Sequence, residues 1–199
     1  MYLYTDSKSD GYQESYVLTI LEEKKNGYYL ELGSADPFEG NNTSLLESKF
    51  GWKGLALDTD EAFVKKYNEE RRNECIAADA LTFDYKKYFE ENNFPKEMDY
   101  LQIDIDGHET NNCLLALLAV PMLQYRFAVI QIEHDVINDY KNKSQRDAQR
   151  EILSSLGYKL SGVFMAEDWW VDPNLIPRED VFIYHSSMVP LAFMGTKRD

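Results

Sequence analysis

The 199-residue chain is short of cysteine, of basic charge and of long apolar runs, and each shortage removes a class of explanation. Its two cysteines, Cys75 and Cys113, sit among apolar neighbours, which reads as two buried thiols in a reducing compartment rather than a disulfide framework. Lys and Arg number 21 against 35 Asp and Glu, a formal net charge of −14. Such a surface repels a polyanion, so DNA and RNA are not expected partners. The one basic cluster, Lys141 to Arg150, reads as the solvated start of a helix. No apolar stretch approaches the ~18 residues of a membrane span. The longest, Cys113 to Met122, suits a buried helix. The opening residues lack a basic region followed by an apolar one, so no secretory signal and no membrane association are expected, and the chain is expected in the cytoplasm. No Pro/Gly/Ser linker, repeat or low-complexity segment divides it.

What is present is globular composition, 44% hydrophobic and 28% charged, with 14 Tyr and 10 Phe to fill a core. Strand and helix signals alternate. Tyr12 to Lys25 reads as a leading helix stopped by Asn26-Gly27. Strands follow at Tyr28 to Leu32, Trp52 to Leu57, Cys75 to Ala78, Met98 to Ile103 and Phe127 to Ile132. Between and after them, helices are predicted at Asn42 to Phe50, Asp60 to Arg71, Asp84 to Glu91, His108 to Val120 and Ser144 to Leu156. Asn42 or Thr43 is placed to cap the first of these, and Phe63, Val64 and Tyr67 share a face of the second. Tyr158 to Met165 and Val181 to His185 look like two last strands. This pattern predicts one α/β domain with a doubly wound, mostly parallel, Rossmann-like sheet of about seven strands. Within it, 1–26 is a helical extension, 27–173 the core and 174–199 a final strand and tail. Ligands in such sheets sit beyond the carboxyl ends of the strands, where strand order reverses.

Each of the first five strands ends in or beside a Gly or an acid. Gly33 lets the chain turn sharply and approach a ligand with no Cβ in the way. Asp58, twenty-five residues later, can accept both hydroxyls of a ribose in a fork. Asp79, followed by Ala80 and Leu81, is placed to reach an adenine amino group. The turn is not a dinucleotide fingerprint. Ser34, Ala35 and Asp36 follow Gly33, and the next glycine is Gly40. Glu31 and Asp36 would oppose a pyrophosphate but attract a cofactor bearing an ammonium and a sulfonium, which favours S-adenosylmethionine over NAD.

The segments ELGSADPFEGNNTSLLESKFGWKGLALD (31–58), AADAL (77–81), DYLQIDIDGHE (99–109), RFAVIQIEHD (126–135) and EDWWVDP (167–173) resemble the FkbM-like branch of class I methyltransferases. The resemblance covers about Gly27 to Pro173 and implies O-methyl transfer, often to sugars or hydroxylated natural products. It implies a cofactor pocket lined by Glu31, Gly33, Asp58, Asp79 and Asp104. Ser34, Ala35, Asp36, Asn42, Thr43, Thr59, Ala80 and Ile105 are their neighbours in these motifs. Many relatives carry Glu where this chain has Asp58.

The acceptor side is read from Asp104 to Glu109 and Glu133-His134-Asp135, which follow neighbouring strands. Crowded carboxylates raise a pKa or recruit a cation. A Mg²⁺ or Mn²⁺ ion on Asp106, Glu133 and His134 would orient sugar hydroxyls, while acids at a helix start also arise simply to complement the dipole. His134 is the expected general base, with Asp106 and His108 beside it and His185 incidental. Asp168, Trp169 and Trp170 are expected in a loop between the last strands, where the rings either stack on a sugar or plug the sheet edge. The expected partner is a small-molecule or glycan acceptor, with monomer and homodimer both open. Two rivals stand beside the transferase: an NAD(P)-binding oxidoreductase and a non-catalytic cofactor-binding protein.

Overall fold

The computed structural model describes residues 3–9, 11–105, 111–177 and 197–198. In chain order the elements are β1 (Leu3–Tyr4), α1 (Gln13–Ile20), β2 (Tyr28–Leu32), α2 (Ser44–Phe50), β3 (Lys53–Asp58), α3 (Glu61–Glu70), β4 (Glu74–Ala77), α4 (Tyr85–Glu91), β5 (Glu97–Ile103), α5 (Asn112–Ala119), β6 (Arg126–Glu133), α6 (Lys143–Ser155), β7 (Lys159–Phe164), β8 (Glu167–Val171) and β9 (Lys197–Arg198). Seven strands form one sheet in the order β4-β3-β2-β5-β6-β8-β7, and β1 pairs separately with β9. The first five are parallel, whereas β8 runs antiparallel to both β6 and β7. Strand order reverses at β2, which pairs with β3 on one side and β5 on the other. No helix among the described residues is long and apolar enough to cross a membrane.

The sheet buries both faces, so its strands read as short apolar runs rather than alternations. Leu30, Leu32, Leu55, Leu57, Leu101, Ile103 and Ile130 face one core. Tyr29, Tyr100, Val129, Trp169 and Val171 face the other, against Val17 and Leu18 of α1 and Leu46 of α2. The leading helix is therefore part of the core, with Val17 and Leu18 fully buried. Both cysteines are free and buried.

Three expectations change. Trp169 and Trp170 belong to a strand, not a loop: Phe164 pairs with Glu167 around the turn at Met165, and all of β8 is buried. The expected strand Val181 to His185 lies outside the described residues. In α3, Val64 and Tyr67 are buried but Phe63 is 38% exposed. Neither Asn42 nor Thr43 caps α2 with its side chain; Glu14 of α1 does so across the structure, accepting from Leu45 N–H. That makes α1 and α2 interdependent, and burial pushes the Glu14 carboxyl up to about 7.

Candidate active site

A 470 Å³ cavity opens beyond the carboxyl ends of β2, β3, β4 and β5, beside the point where strand order reverses. Gly33, Ser34 and Ala35 line it from β2, Leu57 to Asp60 from β3, Ala78 to Ala80 from β4, and Asp104 and Ile105 from β5. The loop after β2 adds Glu39, Gly40 and Asn42, and α3 adds Phe63. Glu39, Asp58, Asp60, Asp79 and Asp104 all face this space, and its described lining contains no Lys or Arg. An enclosed wall of one sign concentrates the opposite charge. The cavity therefore favours a cation and disfavours a pyrophosphate.

The carboxylate of Asp58 is held in place by backbone. Its Oδ2 accepts from Ala35 N–H at 2.8 Å and its Oδ1 from Asp60 N–H at 2.8 Å. Lone pairs remain on both oxygens for a vicinal diol. Asp60 caps α3, accepting from Ala62 and Phe63 N–H, and this fixes Phe63 at the cavity edge. Asp79 accepts from Leu81 N–H at 2.8 Å. The backbone at the end of β2 bonds sideways to both neighbours: Gly33 N–H to Leu57 O, and Asp104 N–H to Leu32 O, each 2.9 Å.

Three expected cofactor residues lie elsewhere. Glu31 is 1% exposed and sits behind the wall, accepting from Thr43 Oγ1 at 2.8 Å and Asn42 N–H at 3.3 Å. Burial raises its pKa to about 7 against the pull of Arg71. Thr43 is itself fully buried, spending its hydroxyl on Glu31. Asp36 accepts from Phe38 and Glu39 N–H at 3.0 Å each and pairs with Lys66, whose hydrogen bond holds its carboxyl below the usual range. These residues shape the loop rather than line the cavity.

The loop has a further anchor that the sequence reading missed. The buried guanidinium of Arg71 donates to Pro37 O at 2.7 Å, Asn41 Oδ1 at 3.0 Å and Thr43 Oγ1 at 3.2 Å while pairing with Glu47 at 2.9 Å. It also lies over the Tyr67 ring. Its signal in the sequence is the i, i+3, i+7 stripe of Val64, Tyr67 and Arg71. Glu39, Gly40, Leu57, Asp60, Phe63 and Ala78 were also missed, and only Asp60 and Phe63 carried a sequence signal, as cap and apolar helix residue.

A second cavity of 170 Å³ shares Gly40, Asn42 and Asp104 with the first. Gly11 and Gln13 close it from before and within α1, Glu133 from β6, and Phe164 to Glu167 from the β7–β8 turn. Burial, then the charge and hydrogen bond of Asp104, push Glu133 up to about 9. Glu167 accepts from Gln13 Nε2 and Trp169 Nε1 at 2.9 Å each, and burial raises it to about 7.

His134 does not reach either cavity's described lining. It is 3% exposed; its Nδ1 accepts from Val136 N–H at 3.2 Å, and its Nε2 stands 3.5 Å from Asp168 Oδ1. The residue expected as general base is thus set back from the described walls of both cavities. Asp168 is fully buried and forked onto Arg150 at 2.6 and 2.7 Å. Burial would raise its carboxyl, but Arg150 and His134 outweigh that and hold it below the ordinary range. Trp169 and Trp170 are buried in opposite cores, which sets all three residues of the expected acceptor group away from the described lining of both cavities. Of the expected metal set, Glu133 faces a cavity while His134 turns inward, and no group of three His, Cys, Asp or Glu among the described residues is placed to hold a metal ion. Asp106 and His108 lie outside the described residues.

Residues 12–160 match the profile of a family described as the methyltransferase FkbM domain. No curated protein matches the chain in sequence. Among solved structures, the fold is similar to an O-methyltransferase from Bacillus cereus in complex with S-adenosylhomocysteine, with a TM-score of 0.57 and 17% identity over 84% of this chain and 83% of that one. It is also similar to the plantazolicin methyltransferase BpumL in complex with S-adenosylhomocysteine, with a TM-score of 0.52 and 12% identity over 80% of each chain.

Proposed function

The chain belongs to the FkbM-domain family of S-adenosylmethionine-dependent methyltransferases, and on that premise we propose that it moves a methyl group from S-adenosylmethionine to a hydroxyl oxygen of a small polyhydroxylated acceptor, a sugar or glycan being the leading class. The observation that carries this reading is the acid-lined cavity around Asp58, Asp79 and Asp104, with no Lys or Arg in its described lining, sharing Asn42 with a second, smaller space.

The residues fit the cofactor. A Cβ on Gly33 would fall 1.8 Å from Asp104 O, so the turn exists only because that side chain is missing. Asp58 would hold the ribose diol, Asp79 the adenine edge, and Phe63 would cover an adenine face. Bound there, S-adenosylmethionine supplies a methyl group on a positive sulfur. Asp104 and Glu39 complement that charge from the wall. The chain's own contribution to rate is alignment of the acceptor oxygen, which can account for roughly 7–11 kcal/mol of barrier. With His134 buried against Asp168, proton removal is assigned to His108, three residues beyond Ile105 in the chain. A net charge of −14 argues against a nucleic-acid acceptor.

Calorimetry with S-adenosylmethionine, S-adenosylhomocysteine and NAD tests the cofactor. Binding of the first two without NAD is expected, and binding of NAD alone refutes the reading. Transfer of labelled methyl to a panel of glycosides tests the reaction; cofactor binding with no transfer to any hydroxyl acceptor would leave a binding protein instead.

A further inference from the structure

The 170 Å³ cavity is well below the ~300–1,000 Å³ typical of drug-sized sites, which suits one ring or one edge of a larger molecule. Its two walls differ in chemistry. One is acidic: Asp104, Glu133 and Glu167 face it, and no Lys or Arg does so among the described residues. The other is apolar: the Phe164 ring, braced edge-on by Tyr12 at 6.1 Å and tilted against Trp169 at 5.6 Å, continues into exposed Met165.

Asn42 supplies an independent sign of a ligand. It is 5% exposed, lines both cavities, and its Oδ1 has no hydrogen-bond partner among the described residues. Its backbone N–H is already spent on Glu31. Of the three buried amide oxygens without a donor among the described residues, on Asn42, Gln145 and Gln149, only that of Asn42 belongs to a residue lining the cavities, where a ligand donor could serve it. That donor would sit where the two cavities meet.

We propose that this cavity is the acceptor site and that it selects by charge, admitting the uncharged or cationic, donor-rich edge of a polyhydroxylated ring and rejecting the same ring bearing a carboxylate. The proposal rests on the methyltransferase reading and adds the acceptor's location and class. Acceptor oxygens on Asn42, Asp104 and Glu167 complement hydroxyl or ammonium donors, and Phe164 complements a C–H face. A carboxylate would find like charge and no basic residue in the described lining.

Saturation-transfer NMR at pH 8 tests it on the full chain loaded with S-adenosylhomocysteine, using a methyl glucoside, its amino-sugar counterpart and the matching methyl glucuronide as probes. The first two are expected to bind, and the glucuronide at least tenfold more weakly. Met165→Trp should abolish all three signals while leaving S-adenosylhomocysteine affinity, followed by calorimetry, within twofold. Glu167→Gln should raise glucuronide binding severalfold. Equal binding of glucoside and glucuronide, binding that survives Met165→Trp, or binding of none of the probes overturns the proposal while the cofactor reading stands. Failure of S-adenosylhomocysteine to bind overturns both.

Discussion

Gly33 passes so close to Asp104 that a Cβ on the glycine would lie 1.8 Å from the Asp104 carbonyl oxygen, with Gly33 at φ +85°. Two demands meet at this position, a left-handed backbone and space against a neighbouring strand end. Gly33→Ala must therefore force β2 and β5 apart just where the larger cavity forms. The strained φ alone costs about 1–3 kcal/mol. The expected outcome is a loss of at least that much stability in urea, with S-adenosylhomocysteine affinity reduced more than tenfold. Unchanged affinity by calorimetry would mean that this turn does not shape the cofactor site.

Arg71 offers a separable way to loosen the same site. Its guanidinium ties Pro37, Asn41 and Thr43 to Glu47. Removing one partner of a buried pair costs roughly 3–5 kcal/mol, because the other charge is left stranded. Arg71→Met should lose stability on that scale. Arg71→Lys should recover little of it, since an ammonium cannot reproduce the planar fork. The double variant Arg71→Met, Glu47→Gln relieves the stranded charge and should regain stability without regaining cofactor affinity. Full recovery of both would reduce Arg71 to a core residue with no hold on the loop.

The strand ends were legible in the sequence because a parallel strand buried on both faces is an apolar run, and the Gly or acid that closes it stands out. Asp58 and Asp79 could be placed beside the site from spacing alone. Glu31 and Thr43 could not be separated from true lining residues, because the sequence does not show which face of β2 meets the ligand; Glu31 lies one residue short of the sheet's edge and points into the core. The β8 strand was hidden for a related reason. Glu167 and Asp168 break its apolar pattern, yet both are buried, satisfied by Gln13 and Trp169 in one case and by Arg150 in the other. Gln13 and Arg150 come from other segments of the chain, so no local pattern announces them.

Stability should fall as pH rises through neutrality. Burial raises Glu14, Glu31 and Glu167 to about 7 and Glu133 to about 9, against 4.5 for an ordinary Glu. Below pH 4.5 these groups are protonated folded and unfolded alike, and their contribution is complete. Between 4.5 and 7 the unfolded chain releases protons that the folded chain retains, so unfolding becomes easier. The loss from the first three levels off above 7, and that from Glu133 continues to about 9. Denaturant midpoints measured from pH 5 to 9 should decline, and Glu14→Gln should flatten the part of the slope below pH 7. A profile that rises over this range would contradict the buried protonated carboxyls.

His134 and His108 should separate cleanly when each is replaced. The His134 ring is enclosed, with Nδ1 accepting from Val136 N–H and Nε2 directed at Asp168. An Nδ1 that accepts leaves the proton of a neutral ring on Nε2, turned toward the carboxylate and away from any acceptor hydroxyl. His134→Ala strands part of the Asp168 carboxylate and should cost about 1–3 kcal/mol of stability. In the fraction that remains folded, kcat should hold within a few-fold. His108→Ala should lower kcat by roughly 10²–10⁴-fold, the range for a positioned general base. The His108 variant should also lose the acid limb of the pH–rate profile. Should His134→Ala remove that limb while His108→Ala keeps it, the roles assigned to the two rings would have to be exchanged.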